Sequence, residues 1–111
     1  MEYLLLICTD STAPELPNDD TSLADWVAEV DRRGISRAGD RLRSPSDATT
    51  IKVRDGKLSV TDGPFLETKE WIAGFDILEC DDLDDVIDIA YRHPMARHGQ
   101  IEIRPFWPLN L

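Results

Sequence analysis

Residues 49–63 read TTIKVRDGKLSVTDG, and no other stretch constrains the fold as tightly. Ile51 and Val53 alternate with Lys52 and Arg54. After Asp55-Gly56, Leu58 and Val60 alternate with Lys57, Ser59 and Thr61. A period of two is the strand period, and a two-residue Asp-Gly connector suits a tight hairpin in which both turn positions have positive φ. The middle of the chain is therefore an antiparallel hairpin with one wet face.

The flanking segments fill in an α+β order. Tyr3 to Cys8, YLLLIC, is a short continuous apolar run, too short for a helix and suited to a central strand. Thr9 to Asp20 carries Pro14, Pro17 and Asn18 and reads as a loop. Leu23, Trp26, Val27 and Val30 then fall on one helical stripe, with Ser22 and Asp25 as a capping pair and Gly34 as the left-handed stop. Ile35 to Leu42 is a short irregular strand. WIAGFDILEC, 71–80, is a longer strand with Trp71, Ala73, Phe75 and Ile77 on one face, and its Gly74 points to a bulge or a close backbone approach.

A second helix follows from the spacing of Leu83, Val86, Ile87, Ala90 and Tyr91, capped by Asp81 or Asp82 and ended by Pro94. IEIRPF is the last strand, with Ile101 and Ile103 inward. Two helices on one face of a mostly antiparallel sheet make a ferredoxin-like α+β sandwich in one domain, 1–111. That arrangement leaves the other sheet face bare. Together with the apolar tail RPFWPLNL, it predicts a homodimer with its sheets face to face, a barrel-like α/β assembly.

Charge limits the partners. Twelve basic against 22 acidic residues give −10, a field that repels phosphate backbones and anionic membranes. Direct nucleic-acid or membrane binding is therefore not expected. Arg32, Arg33, Arg37, Arg41 and Arg43 cluster in sequence and read as surface charge. Two cysteines, Cys8 and Cys80, lack metal-ligand spacing and suit a reduced, cytoplasmic protein. No nucleophile elbow or phosphate-binding glycine loop is present, so no cofactor is expected. His93 and His98, five apart across Pro94, make a weak metal pair, and no metal site is assigned.

One candidate site remains. In TDGPFLETKE, 61–70, an Asp would fold its carboxylate onto the N–H two residues on, but that position is Pro64, which has none. Asp62 is left to the Phe65 or Leu66 amides, or to a ligand. Gly63 and Pro64 make the bend, Phe65 a wall, and Glu67, Thr68 and Lys69 an acid, a hydroxyl and a base. The alternative is structural: Asp62 caps a turn, Phe65 plugs the core, and Glu67, Lys69 and Glu70 are solvated. His93, at a helix C-terminus where the dipole favours imidazolium, is the other candidate.

The opening EYLLLIC, the central TTIKVRDGKLSVTDGPFLETKE, GFDILEC, DDLDDVIDIA and the ending HPMARHGQIEIRPFW resemble the YCII-related proteins of the DGPF-domain group over nearly the whole chain. The resemblance implies a ferredoxin-like, usually dimeric bacterial protein with a cleft suspected of being an active site. It also implies a link, by association, to extracytoplasmic-function sigma factors. A His–Asp pair has been suggested as catalytic in the wider superfamily, and one relative eliminates chloride from an aromatic ring. Counting back from Gly34 puts Trp26 at the histidine's place, and His93-Pro94 stands for the Asp-Pro step. That pair does not carry over. Asp62, Glu67, Lys69 and His93 are left as candidates for any catalysis.

Two functions follow. A small-molecule cleft requires Asp62, Phe65 and His93 to converge on one concave surface. An interaction module would set the acidic surface against a basic protein such as a sigma factor, with Leu66, Trp107 and Leu109 as exposed contributors.

Overall fold

The computed structural model describes residues 1–14, 20–66 and 68–111, with Asp20, Thr21 and Ser22 described by their backbone alone. The elements run β1 (Glu2–Thr9), α1 (Asp20–Arg32), β2 (Ser36–Arg41), β3 (Thr49–Arg54), β4 (Lys57–Asp62), β5 (Ile72–Glu79), α2 (Leu83–Tyr91), α3 (Met95–His98) and β6 (Gly99–Pro105). One sheet has the order β2-β5-β1-β6, every pairing antiparallel, and β3-β4 forms a second sheet of its own. This is the ferredoxin-like order with a hairpin inserted between its second and third strands.

The first strand shows how the sandwich is held. Tyr3, Leu5 and Ile7 are buried, and their cross-strand partners share their face. On that side they meet Trp26 and Val30 of α1 and Val86, Ile89 and Ala90 of α2. Each large apolar group withdrawn there contributes about 1.5–3 kcal/mol. Leu4, Leu6, Phe75 and Ile77 pair on the opposite face and stay only half-buried, since among the described residues both long helices pack on the other side. The bare face expected from the sequence is present.

Both long helices end as their residues direct. Gly34 has φ +69, its N–H donates to the Asp31 carbonyl, and the Ile35 N–H donates to the Val30 carbonyl. Those two bonds are the Schellman pattern, which satisfies carbonyls the helix leaves open. Asp82, rather than Asp81, caps α2 by accepting from the Asp85 N–H at 2.9 Å. The expected Ser22 cap lies outside the described side chains. Pro94 does not simply end the helical region: after Arg92 the chain turns once more as the short α3, where Pro94 is the N-cap.

Two expectations need correcting. The α2 stripe is rotated, because Leu83, Ile87 and Tyr91 are exposed while Ile89 is buried beside Val86 and Ala90. The hairpin has two wet faces rather than one, although its turn is as expected, with φ +53 at Asp55 and +73 at Gly56. In the tail the Phe106 N–H donates to the Glu2 carbonyl, and Trp107 and Leu109 beyond it are exposed, as the sequence reading has them. Gly74 fulfils both of its readings. A Cβ there would stand 2.9 Å from the Asp40 carbonyl oxygen, and the β1–β5 register slips beside it, between Ile7 and Cys8.

Candidate functional site

The insert between β2 and β5 returns to the sheet through residues 63–66 and 68–71 and borders an open cavity of about 980 Å³. Its floor and walls come from the end of β2 and the turn after it (Arg41, Leu42, Arg43, Pro45), from Pro64, Phe65, Leu66 and Thr68, and from Trp71 and Ile72 at the start of β5. The segment is built from specific bonds. Gly63, at φ +99, donates its N–H to the Ala48 carbonyl at 2.7 Å and accepts from Thr50 Oγ1 at 2.8 Å. With no Cβ it reaches a conformation that L-residues seldom adopt.

Glu70 closes the other end. Its carboxylate accepts from the Ser11 N–H at 2.9 Å, the Ser11 hydroxyl at 2.7 Å and the Thr9 hydroxyl at 3.2 Å. Those bonds, the Ser11 ones first, hold its pKa below the usual carboxylate range. Thr9 also accepts from the Trp71 N–H and donates its own N–H to the Trp71 carbonyl. Thr68 donates to the Glu70 carbonyl and so braces the same corner. Glu70, solvated in the structural alternative, is the clasp of the loop.

The candidate residues divide. Pro64, Phe65 and Thr68 line the cavity, and Phe65 is 77% exposed, a wall with nothing behind it rather than a core plug. Asp62 ends β4 opposite Thr49, is exposed, and does not line the cavity; its carboxylate accepts no hydrogen bond among the described residues. Gly63 shapes the loop without lining it, and Lys69 lies outside the lining. Glu67 is outside the described residues.

His93 belongs elsewhere. It is buried in the helix layer against Trp26, and its Nδ1 accepts from the Met95 N–H at 3.0 Å. Burial pushes its pKa down to about 4, so the imidazolium expected from the helix dipole does not form near neutrality. Asp62, Phe65 and His93 do not converge.

Sequence reading missed the residues that give the cavity its chemistry. Four charged side chains line it. Arg43 pairs with Asp47 at 3.1 Å, and Glu70 is engaged by Ser11 and Thr9. Arg41, exposed and opposite Gly74 in the β2–β5 ladder, has no ion-pair partner among the described residues and borders the cavity together with Leu42, Phe65, Leu66, Trp71 and Ile72. The only available signal was that Arg41 and Arg43 flank an apolar residue just before Pro45, which looks the same in a surface turn. Cys8 lies near a smaller cavity, and burial, then Glu102, raises its pKa, so the thiolate is disfavoured. Among the described residues, no group of three or more His, Cys, Asp or Glu side chains is placed to hold a metal. Among them, too, no helix is long and apolar enough to cross a membrane.

Residues 1–110 match the YCII-related domain family. A protein of Rhizobium meliloti (strain 1021), named only as uncharacterized, is 33% identical over 105 residues, spanning 79% of this chain and 85% of that one.

Proposed function

This chain belongs to the YCII-related domain family, and we propose on that premise that it binds a small organic anion in the cavity beside residues 64–68, as a homodimer. One observation carries the reading: a mostly apolar and aromatic cavity has at its border an exposed guanidinium, Arg41, with no ion-pair partner among the described residues. Pockets for small ligands combine mostly apolar lining with a few polar groups that fix orientation. A guanidinium recognises a carboxylate or phosphate through a planar pair of N–H donors, and it does so best where water is scarce. The preferred ligand therefore has an apolar or aromatic body and one anionic group. Among the described residues, Asp62 and His93 do not meet at this cavity, so the reading is of binding, without a reaction assigned.

The dimer follows from what the single chain leaves open. Leu4, Leu6, Phe75 and Ile77 make a half-exposed apolar sheet face, and the Phe65 wall of the cavity is also unsupported. A second copy laid on that face would cover the apolar strand residues.

A native mass spectrum of protein purified gently from its own host tests the binding reading. The expected species is two chains with a small adduct that Arg41→Gln loses. Bare protein that also fails to take up an aromatic carboxylate such as 2-naphthoate would remove it.

A second reading, a module that meets a basic protein such as a sigma factor, is favoured by Trp107, 95% exposed beyond the last strand, and by the acidic run Asp81, Asp82, Asp84, Asp85. Partner binding that survives Asp62→Ala and is lost on reversing those charges would select it.

A further inference from the structure

The hairpin is an unsupported arm. Every residue of β3 and β4 except Thr50 is exposed, and none belongs to the core. Ile51 lies opposite Val60 and Val53 opposite Leu58, so four apolar side chains share one face. Each is between 58% and 65% exposed. The other face carries Lys52 opposite Ser59 and Arg54 opposite Lys57. Like charges set directly opposite weaken a strand pair, and a lone two-stranded hairpin is marginal in water at best. The chain is also spread out. Its radius of gyration is 16.3 Å, against about 13 Å expected for a compact domain of this length.

We infer that this hairpin is an exchanged arm, whose apolar face packs on the open-sheet side of a second copy of the chain, each protomer donating one. The inference rests on the dimer reading above and adds what holds the dimer together. Three features select a second copy as the occupant. The first is complementarity of charge. The hairpin carries three cations and two acids, one net positive charge in a chain that sums to −10, so the remainder carries −11. Another copy is a strongly acidic body whose field draws in a net-positive arm, while Lys52, Arg54 and Lys57, on the face turned away from the contact, stay in water.

The second is area. Six residues per strand give one hairpin face of on the order of 200 Å², whereas a stable interface needs about 800 Å² from each partner. The arm suffices only as part of a larger contact. A two-fold dimer supplies that contact, because it uses each arm once and joins it to the bare sheet faces. The third is the supply of apolar surface to meet it. This same chain has an unpartnered sheet face, with Leu6 and Phe75 at its centre. Asp62 and Thr49 sit at the root of the arm's apolar face, so Asp62 lies at the edge of the contact rather than in the cavity.

Sedimentation equilibrium over a concentration series tests this with the full-length chain, its Leu58→Asp and Val53→Thr variants, and Ser59→Asn as a control on the polar face. The wild type is expected to be a dimer. Leu58→Asp should raise the dissociation constant at least a hundredfold and Val53→Thr about tenfold, while Ser59→Asn leaves it within threefold. Far-ultraviolet circular dichroism should be unchanged throughout, since the arm contributes nothing to the core. A wild-type dimer whose dissociation constant is the same in Leu58→Asp and Val53→Thr overturns the arm and leaves the dimer standing. A wild-type monomer overturns both.

Discussion

Trp26 and His93 meet edge to face inside the helix layer, ring centroids 4.6 Å apart and planes at 67°. The Trp26 indole N–H donates to the Ile89 carbonyl at 2.9 Å, and His93 accepts from the Met95 amide, so each ring is held by a backbone group. These are the two positions at which resemblance to the wider superfamily would place a histidine and an aspartate. In this chain the positions are neighbours, but they are filled by a packed aromatic pair.

That pair makes stability depend on pH. His93 titrates near 4 when folded, through burial, and near 6.5 when free. Between those values the unfolded chain binds a proton that the folded one refuses. The contribution is present above about pH 6.5 and is lost as pH falls toward 4, by about 3 kcal/mol in all. Urea denaturation across that window should show the loss, and His93→Gln should flatten this component.

Asp76 works in the opposite direction. It faces the helix side of β5 opposite Leu5, and burial raises its pKa to about 6. Its folded form holds the proton more tightly, so stability is greatest below about pH 4 and falls as pH rises through 6. Asp76→Asn should therefore stabilise by about 1–3 kcal/mol at pH 7 and by nothing at pH 4. The wild type should look nearly flat from pH 4 to 6, because His93 and Asp76 oppose one another there. A double variant that restores flatness after each single variant has tilted the curve would establish the cancellation. A Cβ at Gly39 would sit 2.2 Å from Asp76 Oδ1, so Gly39→Ala in the wild type should disturb this carboxylate directly.

Glu70 should be worth more to the cavity than its exposure suggests. Removing its carboxylate leaves the Ser11 amide and the Thr9 and Ser11 hydroxyls without their acceptor. Glu70→Ala is expected to speed amide exchange at Ser11 and Trp71 and to weaken binding of 2-naphthoate. The other residues that line the cavity would be unchanged. Unaltered exchange at both amides would show that the clasp is not needed.

The fold was legible because each of its devices is local. Asp55-Gly56, Gly34 and the stripe around Trp26 each specify a turn, a stop or a face with a few neighbouring residues. The half-bare sheet was legible too, since two helices cannot cover two faces. What could not be read was anything decided by burial across the chain. His93 sits where a helix dipole favours charge, yet packing against Trp26 removes the water that charge requires. Arg41 and Glu70 look like surface residues in sequence, and only the return of residues 63–66 and 68–71 to the sheet makes one a cavity border and the other a clasp. The hairpin's apolar face was plain in sequence. Its lack of cover within the chain was not, because periodicity reports which residues want burial and not what buries them.

The adjacent pair Asp62 and Gly63 separates the structural part of the loop from the rest. Gly63 holds φ +99 with open space around its Cα, so a methyl group meets no atom but must adopt a left-handed backbone. That conformation costs an L-residue about 1–2 kcal/mol, and relaxing it would strain the bonds to Ala48 and Thr50 that set the loop. Gly63→Ala should lower stability by that amount and weaken ligand binding with it. Asp62 has no hydrogen bond to lose among the described residues, so Asp62→Ala should change monomer stability by less than about 0.5 kcal/mol. If the arm is exchanged, its effect should appear in the dimer dissociation constant instead. Chemical denaturation of both variants, at concentrations above and below dimer dissociation, distinguishes a backbone requirement at 63 from an interface requirement at 62. A loss of more than 1 kcal/mol for Asp62→Ala in the monomer would mean that the carboxylate supports the turn after all.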